Sequence, residues 1–460
     1  MSEYSVDARV QVDNTSGLVD FRKVPATSRQ RVIALHIKPK GNHFSLRIQP
    51  GGLPDFMDAL DDWEADIPLT REQLWGHVKE CRKVWRESVV DHRRREEFVF
   101  HNHWNFVDDP TICNEVLGQA ALAGNKLFRD IFLPNKRDTG ERNYKKLTTI
   151  GEALRDKMSK GNYWFPVVTD KFHAPWNLIY SDRLTDKRNG TDARLEGFWG
   201  YQHIVEQVSP TSLEYGAPLT WADPLNIALQ LDETIDDEYD VECNALVDEH
   251  FQSYCRAAVK LDYRNNYDAL ADALCSEPLV DHILYFCCHG MVDGDSTEIP
   301  IDTSYLRLTD CHNPISPGDF DRWIGETAFD NHPIVFLNAC ESANMNSVFY
   351  DSFFDKFLDY QANAVVGTST EIPAIFAGQF AQDFFEDFFR GGMDSTETSK
   401  TIGEVMFALR RHFVDVHNNP LGLLYSVYRG ADTYLEKQVP KRPCHREACV
   451  CVATDPMEEG

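Results

Sequence analysis

The sequence contains no apolar run approaching the roughly 18 residues needed to cross a bilayer, so no spanning helix is expected. Basic residues are in deficit: 46 Lys and Arg stand against 73 Asp and Glu, a formal net charge of −27. Such a balance lacks the cationic footprint that holds nucleic acids and anionic membranes, and neither is expected as a direct partner. Met1-Ser2-Glu3-Tyr4-Ser5-Val6-Asp7 has neither a basic nor an apolar segment of the secretory kind, so a soluble, cytoplasmic protein is expected. No Gly-rich phosphate loop or dinucleotide fingerprint occurs, and no organic cofactor is expected. No internal repeat is evident. The 12 cysteines in 460 residues are no disulfide framework; most sit singly in apolar or helical stretches, as reduced buried thiols do.

Hydrophobic residues make up 42% of the chain, enough for a sizeable core. Residues 1–30 are polar and unpatterned, an N-terminal arm. The stretches 31–38 and 43–48 alternate like strands about the turn Pro39-Lys40-Gly41-Asn42. Helical periodicity follows over 71–87, 114–132 and 149–158, with strands at 163–168 and 201–208. Polar sequence over 209–218 then marks a boundary, so 31–215 reads as one subdomain and 216–436 as a second. The second half alternates strands (225–231, 282–288, 334–339, 364–367, 421–428) with helices (237–260, 318–324, 346–361, 374–390, 400–414). In the fourth of these helices Phe376, Phe380, Phe384 and Phe388 form a core-facing stripe, and Gly391 is its expected stop. Strands and helices in alternation imply a mostly parallel sheet covered on both faces. The tail 437–460 carries Cys444, His445, Cys449 and Cys451, whose spacing fits no standard zinc pairing, and it reads as flexible.

Two apolar runs stand out. Ile283–Cys288 ends abruptly at His289-Gly290, and Ile334–Ala339 ends at Cys340, 51 positions after the histidine. That interval holds one crossover between parallel neighbours, which would bring a base and a thiol to the carboxyl edge of one sheet. It is also the His-to-Cys interval noted for caspases. A thiol at a strand end before helical sequence can act as a nucleophile, with His289 as general acid and base. The N–H groups of Gly290 and Cys340 are the expected oxyanion donors. Taken singly, a buried cysteine is more often packing, as Cys287 and Cys288 are expected to be, and a lone strand-end histidine is more often a satisfied polar group. The joint pattern is what favours a dyad. His101 and His103 would share a face of a strand but lack a third ligand, so surface or packing roles are expected. No metal site is expected.

At these residues the sequence resembles the CHAT family of caspase-like cysteine peptidases, relatives of separases and caspases. Cys288-His289-Gly290 is similar to the family's His-Gly block, and Ala339-Cys340-Glu341-Ser342 to its Ala-Cys-Glu-Thr/Ser block. Ala364-Val365-Val366-Gly367 and Pro420–Tyr425 resemble the strands that follow, and Ala174–Tyr180 resembles an upstream corner, with Asn177 in place of the usual acid. The resemblance implies a caspase-like, mostly parallel sheet sandwiched by helices, with an N-terminal non-catalytic α/β subdomain. It implies site-specific cleavage of a protein substrate, as a regulated switch in bacterial antiviral defence or signalling. No helical sensor repeats are visible, so a separate activating or sensor protein is the expected partner, unless the N-terminal arm does the gating. Some relatives that cut after Arg or Lys place an acid two residues before the cysteine; here Asn338 stands there. Asn338, Glu341, Asp293 and Glu371 are the candidate substrate-binding residues, with a slight lean to a basic P1 side chain. The alternative is a non-catalytic scaffold that binds a partner through the same groove.

Overall fold

The structure is a computed structural model that describes residues 33–50, 64–101, 110–169, 172–208, 218–254, 259–276, 278–292, 304–309, 314–325, 328–340, 347–393 and 398–438. In chain order the first half gives β1 (Ile33–Lys40), β2 (His43–Pro50), β3 (Glu64–Ile67), α1 (Arg71–Trp85), β4 (Arg93–Arg94), β5 (Glu97–Phe98), α2 (Pro110–Phe132), α3 (Glu141–Met158), β6 (Trp164–Thr169), α4 (Trp199–Gln202) and β7 (Ile204–Val208). The second half gives β8 (Leu219–Trp221), β9 (Leu225–Leu231), α5 (Thr234–Tyr239), α6 (Cys243–Tyr254), β10 (Val259–Tyr263), α7 (Tyr267–Leu274), β11 (Ile283–Val292), β12 (Ser304–Arg307), α8 (Pro317–Ile324), β13 (Ile334–Cys340), α9 (Ser347–Asp359), β14 (Ala364–Thr368), α10 (Ala374–Met393), α11 (Ile402–Asp415), β15 (Tyr425–Tyr428) and β16 (Leu435–Lys437).

One 12-stranded sheet runs through both halves in the order β10-β9-β11-β13-β14-β15-β7-β6-β1-β2-β3, with β12 paired to β11. It is parallel from β10 to β14 and from β15 to β1, and antiparallel at β14–β15, β1–β2–β3 and β11–β12. This is the mixed α/β, mostly parallel architecture expected from the alternation of elements. Fully apolar strands such as Ile334-Val335-Phe336-Leu337 require cover on both faces, and they have it. Tyr285, Phe336 and Val366 pack beneath α6 and α10, against Phe384 and Phe385. Phe286, Leu337 and Val365 pack on the opposite face with Phe320, Phe353 and Phe357. Burying each such side chain contributes roughly 1.5–3 kcal/mol. The Phe376/Phe380/Phe384/Phe388 stripe is buried throughout, as its spacing predicts. The Ser316 capping box and the Thr401 capping box start α8 and α11.

The halves meet at β15 and β7, where Val427 pairs with Glu206 and Tyr428 with Gln207. Asn177 reinforces the seam from the first half. Its amide donates to the carbonyls of Leu423 and Tyr425 and accepts from Ser369 at 3.0 Å and Ser426 at 2.8 Å. The expected boundary at 215/216 and the arm 1–30 lie outside the described residues, as does the tail beyond 438.

Four local expectations change. The helix expected over 237–260 is two helices followed by the edge strand β10, whose half-polar sequence (Lys260, Asp262) hides it. Helix α10 runs through Gly391 to Met393, because these glycines serve close packing and not a cap: a Cβ on Gly391 would lie 2.3 Å from the Thr398 carbonyl oxygen. The strand expected over 421–428 begins as a 3-10 turn at Pro420–Leu424, where the Asn419 side chain accepts from the Leu421 amide. Residues 199–202 likewise form a helical turn before β7.

Candidate active site

Strands β11 and β13 are parallel neighbours in register from Ile283↔Ile334 to His289↔Cys340. The two candidate dyad residues are therefore direct partners on the last rung of the ladder, at the carboxyl edge. Side chains alternate along a strand, so His289 shares the sheet face of Tyr285, the face covered by α6 and α10.

The backbone around that rung follows from the ladder. The Ile334 N–H donates to the His282 carbonyl at 2.9 Å, so in this register alternate residues of β13 from 334 onward direct their amides at β11. The Cys340 N–H then faces the Cys288 carbonyl, and the Gly290 N–H faces the Cys340 carbonyl. On the other edge Leu306 of β12 exchanges both of its backbone bonds with Ile315 at 2.8 Å, consistent with Gly290 turning its amide away from β12. Both expected oxyanion donors thus sit on one rung, and both are directed into the sheet in this structure.

His289 is 3% exposed. Its Nε2 is buried and makes no hydrogen bond among the described residues. Two carboxylates lie within ion-pair range of it: Glu238 Oε2 at 3.4 Å and Asp232 Oδ2 at 3.8 Å. Asp232 is fully buried just beyond the end of β9, where its N–H donates to the Cys287 carbonyl at 2.8 Å and its Oδ1 accepts from the Thr234 hydroxyl at 2.6 Å. Arg307, the register partner of His289 on β12, reaches the same two oxygens, at 3.4 Å from Asp232 and 3.2 Å from Glu238. The Tyr239 ring lies 5.8 Å from the imidazole, tilted by 45°. Asp232, Glu238 and Arg307 were absent from the sequence-based candidates. Asp232 carries only a partial signal: the strand Leu225–Leu231 also ends in a reactive side chain, but Asn226 and Gln230 interrupt its apolar residues.

The other thiols on β11 behave as packing groups. Cys287 and Cys288 are fully buried; burial pushes the Cys288 thiol well up, and Cys287 Sγ lies 3.3 Å from Cys243 Sγ of α6. His101 also has a packing part: its Nε2 meets the Val90 carbonyl at 2.8 Å, its ring stacks on Phe98, and burial lowers it to about 4. His103 lies outside the described residues.

Of the substrate-binding candidates, Asp293 and Glu341 lie outside the described residues. Asn338 is fully buried with its amide committed to the core. Its Nδ2 donates to Tyr285 Oη at 3.1 Å and the Ala377 carbonyl at 2.9 Å, while Tyr425 Oη donates to its Oδ1 at 2.6 Å. Glu371 follows β14 but is 2% exposed, and Arg86 of the first half holds its carboxylate at 3.2 Å. In this structure neither side chain lines an open groove, because each is turned inward against a partner. Among the described residues no group of three or more His, Cys, Asp or Glu is placed to hold a metal ion, and no helix is long and apolar enough to cross a membrane.

No protein-family model matches the chain. In sequence it is similar to a probable protease of Vitiosangium sp. (strain GDMCC 1.1324). The two are 28% identical over 150 residues, 31% of this chain and 18% of that protein. The match therefore spans less than a fifth of that relative's length. Among solved structures the chain resembles the Saccharomyces cerevisiae separase–securin complex at 11% identity and a TM-score of 0.41, over 88% of this chain and 30% of that one. It also resembles the complex of Porphyromonas gingivalis RgpB pro- and mature domains at 10% identity and a TM-score of 0.37, over 69% of this chain and 75% of that one.

Proposed function

We propose that this chain is a site-specific cysteine endopeptidase of the CHAT type, with Cys340 as nucleophile and His289 as general acid and base. The observation that supports it most is the backbone rung His289↔Cys340, which makes the two residues register partners at adjacent strand ends. In the reaction the thiolate adds to the scissile carbonyl, His289 gives its proton to the departing amine, and water, deprotonated by His289, hydrolyses the thioester. For the Gly290 and Cys340 amides to meet the oxyanion, the last rung must part and its donors must turn outward. That rung is where the expected activating partner would act. A cytoplasmic role in bacterial defence or signalling fits the same reading. A basic P1 residue would have to engage Asp293 or Glu341, or displace Arg86 from Glu371.

The test is cleavage-site profiling on a proteome-derived peptide library, with wild type beside Cys340→Ala. Cuts made by wild type alone are expected, and they define the P1 preference. Equal cutting by both proteins would refute the nucleophile. Silence from both would favour a partner-binding scaffold, or a latent enzyme whose activator must be added.

A further inference from the structure

We infer that Asp232 and Glu238 are positioning residues that fix His289 as its Nε2–H tautomer, which leaves Nδ1 as the ring nitrogen that exchanges protons with the reacting groups. The kinetic arm of this inference rests on the peptidase reading; the structural arm does not.

The buried Nε2 has no hydrogen bond among the described residues, and two carboxylate oxygens lie 3.4 and 3.8 Å from it. A carboxylate only accepts hydrogen bonds. A lone pair on the buried Nε2 would face two negative oxygens and be repelled, whereas an N–H there is attracted. Nδ1 makes no hydrogen bond among the described residues, and none of them opposes that choice. The acids are held independently of the ring: Asp232 by Thr234 and by its backbone bond to Cys287, Glu238 by Arg307.

Arg307 gives the arrangement its charge balance. Two ionised acids at one buried imidazole would repel each other, and the guanidinium bridging both leaves a net charge of about −1 facing the ring. When Nδ1 takes up a proton during catalysis, the cation that forms meets that remaining charge. A small closure of Glu238 onto Nε2 would complete a charge-assisted hydrogen bond. Glu238, 47% exposed, has room to shift together with Arg307 and make it, while Asp232 is fixed and fully buried.

The experiment uses the full chain labelled with 15N-histidine, His289 being assigned by loss of its signals in His289→Gln. Long-range 1H–15N correlations at neutral pH report the tautomer. Wild type should show Nε2–H. Glu238→Gln, and Glu238→Gln combined with Asp232→Asn, should raise the Nδ1–H fraction toward that of an unconstrained imidazole. Asn keeps the acceptor for Thr234, and Glu238→Gln alone carries the test should the double variant fail to fold. With a peptide found by profiling, kcat should fall about tenfold or more while KM stays within about twofold. An Nδ1–H tautomer in wild type, or variants that keep both the Nε2–H tautomer and kcat, would overturn the inference. A wild type that cleaves nothing would count against the peptidase reading, and the tautomer would still decide this one.

Discussion

Asn338→Ala is the substitution that separates a groove residue from a core residue. In the structure the Asn338 amide makes three hydrogen bonds in a fully buried setting, to Tyr285, Ala377 and Tyr425. Each is worth about 1 kcal/mol net, and a buried polar group left unsatisfied costs about 1–3 kcal/mol. Truncation removes the side-chain donor to the Ala377 carbonyl, which keeps its helical bond, and takes a partner from two buried tyrosine hydroxyls, so a loss of about 3–5 kcal/mol is expected. Against a usual stability of about 5–15 kcal/mol that is a large fraction. Urea unfolding followed by tryptophan fluorescence should show a midpoint well below wild type with an unchanged slope. Asn338→Asp should be at least as damaging, since it sets a carboxylate where a donor must face the Ala377 carbonyl. A loss below about 1 kcal/mol together with a changed P1 preference would refute this reasoning and return the side chain to the substrate groove.

Gly378 of α10 approaches α6 so closely that a Cβ would lie 3.0 Å from Cys243 Cα and its carbonyl oxygen; Gly378→Ala should cost about 1–3 kcal/mol, read as a lowered thermal midpoint. Burial raises the Asp383 carboxyl to about 6, while in the unfolded chain it ionises near 4. The folded state therefore holds a proton that the unfolded state has lost, and stability from this group falls as pH rises from about 4 through about 6. Asp383→Asn, which can keep the bond from Gln379, should remove that slope and add about 2 kcal/mol at neutral pH after allowance for partial exposure, measured by denaturation across the range.

Central strands were legible because burial on both faces leaves a continuous apolar run, as in Ile334–Leu337. Edge elements were not. Strands β10 and β12 are short and partly polar, with Lys260 and Asp262 in one and Ser304 and Arg307 in the other, so no continuous apolar run marks them. The dyad candidates could be read because each ends such a run. Their neighbours could not be sorted by depth, since proximity in sequence to Cys340 says nothing about whether Asn338 meets Tyr285 or a substrate. Glu371 was similarly opaque, because its partner Arg86 comes from the other half of the chain. Asp232 also ends a strand, but Asn226 and Gln230 break the apolar run before it, and an acid there is chemically less conspicuous than a thiol or an imidazole.

The seam at β15 and β7 makes the protein a pair of complementing fragments. One strand edge of each half is completed by the other, and Asn177 binds four residues across the join. Covalent continuity between residues 208 and 218 is thus not what keeps the halves together. Chains ending at 208 and starting at 218, produced together, should associate as one body, and a nick in that interval should leave the β11–β13 rung undisturbed.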